Sequence, residues 1–175
     1  MPNFISSETA VETYRTLSCL ITEDERTIEW YASAKCHCAN LTKIRNWTVE
    51  QAASVIAAFS PRVQWKRNLE LAYAYAEGRE VRCLSNSIRN AQHATGYGFD
   101  ALRGLKTNAF ARNIAGDLDA VTIDTWMLRP FGLKQANKTN YRTLADAIRT
   151  VAREVGMTPA DLQALIWVRL RGKAE

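Results

Sequence analysis

The sequence predicts an all-α protein, and three observations carry that prediction. Helix starts recur: Thr22-Glu23-Asp24-Glu25 and Thr48-Val49-Glu50-Gln51 each set a capping hydroxyl three residues before a Glu or Gln that can reach back to it. Ser60-Pro61 and Thr158-Pro159 place a cap before a proline at a first helical position. Helix stops recur as well, because Gly78, Gly96, Gly116, Gly132, Gly156 and Gly172 each follow an apolar-periodic stretch, where a left-handed residue ends a helix. Strand signals are thin: Glu80–Cys83 and Ala120–Ile123 are short, isolated, and flank no hairpin turn. Roughly nine helices joined by loops of about two to eight residues follow.

In chain order, the Thr22 box opens the region that contains Cys36-His37-Cys38. Helical geometry turns successive residues by roughly 100°, so the two thiols stand about 200° apart. With no second close pair, the spacing does not suit zinc, and no metal is expected. His93 is the only other histidine, which leaves neither a multi-histidine site nor a serine or cysteine triad. After Thr48, residues Val49, Ala52, Ala53, Ile56 and Phe59 share one helical face. Later, Leu144, Ile148, Val151 and Val155 do the same ahead of the Thr158-Pro159 start.

The 175 residues fit one compact body with a substantial core, and a composition of 47% hydrophobic and 23% charged residues argues against disorder. No apolar run approaches the roughly 18 residues a membrane span needs, and the first residues lack a secretion signal. A soluble, cytoplasmic protein of a bacterial or phage-infected cell is expected, with Cys19, Cys36, Cys38 and Cys83 as reduced thiols. The net charge of +5 is unevenly placed: residues 60–112 hold nine Lys/Arg against four Asp/Glu. A basic middle on a neutral remainder suits a polyanion, above all nucleic acid.

The chemistry concentrates in Gly104-Leu105-Lys106-Thr107 and Ile123-Asp124-Thr125-Trp126. A glycine at a bend before a helix lets backbone amides approach a phosphate, and the positive helix end favours the anion. Lys106 then stands on the first turn. Asp124 follows three apparently buried residues and opens a further helix, a natural capping position. An amine and a carboxylate facing one cleft can break a bond to a sugar carbon, the amine as nucleophile and the acid steadying charge or moving the proton.

On these residues, 48–172 resemble the helix-hairpin-helix DNA glycosylases of the endonuclease III type. That family's hairpin leads, eighteen residues beyond its lysine, to a Val-Asp-Thr-His-Val-x-Arg segment. Here Arg103-Gly104-Leu105-Lys106-Thr107 stands at the same separation from Ile123-Asp124-Thr125-Trp126-Met127-Leu128-Arg129. Ala57-Ala58-Phe59-Ser60-Pro61-Arg62 looks like the family's helix junction that touches DNA, and Leu165–Gly172 resembles its closing helix. The resemblance implies a two-lobed helical fold: residues 48–117 as a barrel-like lobe with the hairpin, 1–46 plus 118–175 as the second lobe, and the active cleft between them. It implies double-stranded DNA as partner, a Schiff base from Lys106 to the deoxyribose C1′, and Asp124 assisting base departure. Gly104 with Arg103 and Thr107 would hold a phosphate; Arg62, or Gln64 in its place, would enter the gap left by a flipped base; Ser60 and Arg129 would touch DNA. Trp65 and Trp126 would line a base pocket or stack on DNA.

The chain departs from that pattern in four places, one of them a stretch between Ser60 and the hairpin that is shorter than the family's. Asp100-Ala101-Leu102 occupies the ground of the first hairpin glycine and its proline, Trp126 replaces a histidine, and no four-cysteine cluster follows the last helix. No iron–sulfur cofactor, and no cofactor at all, is therefore expected. Small relatives of this kind include phage-type enzymes that build modified bases. A base-modification transferase on the same scaffold and a non-catalytic helical DNA- or protein-binding module both stay open.

Overall fold

The structure, a computed structural model, describes residues 4–22 and 30–172. The capping box expected at Thr22–Glu25 extends outside the described residues. Among those residues the chain is all-α: α1 (Ser7–Cys19), α2 (Trp30–Arg45), α3 (Val49–Phe59), α4 (Trp65–Ala76), α5 (Ser85–Tyr97), α6 (Leu105–Ala115), the four-residue α7 (Thr125–Leu128), α8 (Lys138–Val155) and α9 (Pro159–Arg171). Short 3-10 turns occupy Gly98–Ala101 and Arg129–Phe131, and no strand is formed among the described residues. The two β-like runs are extended segments without a partner strand. At Val121–Ile123 a side chain serves instead: the Tyr141 hydroxyl donates to Val121 O (2.9 Å) and accepts from Ile123 N (3.2 Å).

The chain divides into two compact units, residues 31–117 and residues 1–30 with 118–174. The inserted unit is built on α3, whose Thr48 cap is the reciprocal box the sequence promised, Thr48 Oγ1 accepting from Gln51 N and Gln51 Oε1 from Thr48 N. Residues Ala52–Phe59 are all buried, so α3 is covered on every side rather than along the one face its periodicity suggested, and Val49 is exposed. Helices α5 and α6 pack along it, joined by α4. α2 belongs to this unit and not with residues 1–30. Its Cys38 thiol donates to Val49 O (3.4 Å), its His37 Nδ1 meets the Tyr73 hydroxyl (3.1 Å), and Arg45 Nε donates to Ala76 O. Cys36 is exposed while Cys38 is buried, the opposed placement helical geometry requires.

Two expected helix boundaries are corrected. Ser60 does not start a helix; its backbone is still helical (φ −68°, ψ −24°) and its Oγ donates to Ala57 O at 2.8 Å, so it closes α3. The next helix waits until Trp65, with Gln64 at its N-cap. Gly96 lies inside α5, and the stop falls two residues later at Gly98, whose φ of +52° with ψ −130° is open only to glycine. A Cβ there would also sit 2.4 Å from Glu50 Oε1, the atom that accepts from Phe99 N.

The second unit joins α1 to α7, α8 and α9 around Tyr14, Ile123, Met127, Leu144, Ile148, Val151, Leu162 and Ile166. α1 lies on α8, pinned at one end by Ile5 N donating to Asn140 Oδ1 (3.2 Å) and at the other by Arg15, which binds both oxygens of Glu154 at 2.9 Å. That ion pair is exposed and screened by solvent, so burial of the apolar stripe of α8 carries the packing. Among the described residues no helix is long and apolar enough to cross a membrane.

Candidate functional site

Residues 31–117 carry twelve Lys/Arg against six Asp/Glu, a balance of +6, leaving the rest of the chain at −1. Lys106 is exposed on the first turn of α6, next to exposed Arg103 and Gly104 and half-buried Thr107. Gly104 is the N-cap and supplies no side-chain acceptor, so the positive end of α6 is left without a side-chain cap. The start of α4 is built the same way: Gln64 caps it without a side-chain bond. Before it, exposed Arg62 holds the left-handed region at φ +62°, a conformation that a non-glycine residue adopts at a cost of roughly 1 kcal/mol or more.

One aromatic contact links the start of α4 to the middle of α6. Trp65, the first residue of α4, makes an edge contact with Phe110 (6.2 Å between ring centres) and another with His37 (6.3 Å). Phe110 lies one turn beyond Lys106 on the same face of α6. Trp65, which follows the Ser60–Gln64 loop, thus meets α6 one turn beyond Lys106. Trp65 is half-buried and committed to rings on both sides.

In the other unit Asp124 is the N-cap of α7, the position the sequence assigned it. Its Oδ1 accepts from Trp126 N (2.9 Å) and Met127 N (3.1 Å), and its Oδ2 accepts from the Trp167 indole Nε1 (2.8 Å). The acid is half-buried. Exposed Arg129 lies over the Trp126 ring at 3.5 Å from its centre, and Arg171 over Trp167 at 4.8 Å. Trp126 is therefore a platform already covered by a guanidinium on one face, not an open wall. Two phenols hold the backbone on either side of the acid: Tyr14, fully buried, donates to Met127 O (3.1 Å), and Tyr141 bridges Val121 and Ile123.

Burial, with the Asp124 carboxylate adding to it, raises the Tyr14 phenol far above its ordinary value and pushes Tyr141 up to about 12. Burial also pushes the Cys38 thiol up to about 11. A group whose folded pKa is raised contributes stability below its unfolded pKa and loses it as pH climbs through the folded one. The urea midpoint is therefore expected to hold to about pH 9, where unfolded thiols ionise, and then fall steadily to about pH 12. Tyr141 and Cys38 each contribute up to about 2–3 kcal/mol to that loss. A midpoint that stays flat between pH 9 and 11.5 would contradict this.

Trp167, Arg171, Tyr14, Tyr141 and Phe110 are the members of these sites that sequence reasoning missed. A faint signal existed: Trp126 with Arg129 and Trp167 with Arg171 are spaced three and four residues apart, as cation–aromatic pairs on helices require. Among the described residues no three of His, Cys, Asp or Glu gather closely enough to hold a metal ion.

What these observations define is a class, an all-helical protein with a strongly basic inserted unit and a helix-capping acid fixed in the other. Residues 18–174 match the family described as a family of unknown function (DUF7178), and the chain belongs to that family. No curated protein and no solved structure matches the chain.

Proposed function

We propose that this chain is a DNA glycosylase with abasic-site lyase activity, built on a two-lobed scaffold of the helix-hairpin-helix type. The supporting observation is the +6 unit, where Trp65, three residues after Arg62, contacts Phe110, one turn beyond exposed Lys106. Two uncapped helix starts beside Arg62, Arg103 and Lys106 suit the phosphates of duplex DNA. In this reading Arg62, or Gln64 in its place, fills the stack where the target nucleotide has left it, and Gly104 with Thr107 holds a phosphate. Arg129 on Trp126 serves the flipped base or its backbone.

The chemistry follows from the amine. The Lys106 Nζ lone pair forms a bond to the deoxyribose C1′ as the glycosidic C–N bond breaks, and the base leaves with that electron pair. Asp124 is the carboxylate assigned to base departure and proton transfer; the departing base takes up one proton for the one that Nζ loses, so charge balances. Ring opening gives a C1′ imine to Lys106, and loss of a C2′ proton expels the 3′-phosphate. Borohydride reduces that imine irreversibly. Duplex DNA with one abasic site is therefore expected to yield a covalent adduct with the wild type and at least about 100-fold less with Lys106→Ala. No adduct from the wild type, or undiminished adduct from the variant, refutes the lyase.

A further inference from the structure

The carboxylate of Asp124 is held more completely than a helix cap needs. Capping uses one oxygen, Oδ1, which accepts both the Trp126 and Met127 amides. A carboxylate anchored by one oxygen still turns about its last torsion, a soft rotor. The second oxygen removes that freedom by accepting the indole N–H of Trp167 at 2.8 Å, from a residue 43 positions away on α9. The phenols do not compete for it. Tyr14 gives its proton to Met127 O and Tyr141 to Val121 O, so among the described residues the indole is the one side-chain donor to Asp124.

Trp167 is itself fixed. It stands between buried Ile166 and Val168, and Arg171, one turn on, lies over its ring. The residue is half-buried and its indole N–H is satisfied by a part-buried bond to the acid. From these contacts we infer that Trp167 is the positioning residue of the Asp124 site, setting the plane of the acid while the backbone amides set its place. The inference rests on the function proposed above, with Asp124 as the acid that moves the proton.

Trp167→Phe keeps the ring and removes the donor. Loss of a hydrogen bond to a charged group predicts a fall of roughly 10- to 100-fold in the single-turnover rate of adduct formation. DNA affinity should stay within about threefold, because the bond touches no phosphate. In an Asp124→Asn background the same change should add less than about twofold, since the group it acts through is already altered. The Trp167 indole proton, identified in the NMR spectrum as the resonance missing from Trp167→Phe, should move on Asp124→Asn.

A wild type that forms no adduct overturns the proposed function and this role together. An active wild type with Trp167→Phe unchanged in rate, or with fully additive effects in the double variant, overturns the positioning role alone. So does a spectrum in which none of the indole N–H resonances moves on Asp124→Asn, a result that decides the matter even if Trp167→Phe does not fold.

Discussion

Asp124→Asn is expected to lower base release and adduct formation by about 10²- to 10⁴-fold while leaving the fold within about 1–2 kcal/mol of the parent. The two effects separate because the residue has two jobs. Asparagine caps helices nearly as well as aspartate, and its amide oxygen can still accept the Trp126 and Met127 N–H groups. What it brings to the second oxygen's place is an N–H₂ facing the Trp167 donor, so that bond is lost and a proton acceptor disappears with it. Denaturant titration reads the first effect. Mass analysis of nucleosides after incubation with duplex DNA reads the second. Equal activity of the two proteins would reduce Asp124 to a cap, and nucleosides that gain mass instead of losing their base would identify group transfer in place of excision.

Tyr14→Ala is expected to cost the unit that holds Asp124 about 3–5 kcal/mol, enough to unfold it at moderate temperature. Tyr14 is 0% exposed, meets Phe131 edge-on at 5.4 Å between ring centres, and donates its hydroxyl to Met127 O. Truncation leaves a cavity where the ring was. It also strands a buried carbonyl at the end of a helix only four residues long, with little else to hold its geometry. Tyr14→Phe isolates the second contribution and should cost about 1–2 kcal/mol. Guanidinium midpoints for both variants test the pair of numbers; a Tyr14→Ala protein within 1 kcal/mol of the parent would show that the core closes over the gap.

Much of the helical architecture was legible because it is written in short range. The Thr48–Gln51 box, the Thr158-Pro159 start and the left-handed glycines at 116, 132, 156 and 172 are each decided within four residues. Where a signal has two meanings, the reading slipped. Ser-Pro serves equally to end one helix or begin the next, and at Ser60 the left-handed Arg62 forbids an immediate restart. Near Gly96 a second glycine two residues on was the one free of a side chain against Glu50. Asp124 as a cap was local and was found. Its anchoring by Trp167 was not, because nothing in a sequence says which residue 43 positions away will present its N–H.

Residues 1–30 complete their unit only with residues from 118 onward, so a loop of nearly ninety residues must close before α1 meets α8. The inserted unit needs no such reach: α3 finds α4, α5 and α6 among the next sixty residues. Loop-closure entropy and contact distance both favour its assembly first. On a growing chain the basic unit would stand finished while Tyr14 still waited for Met127, and the Asp124–Trp167 bond would be among the last contacts to form.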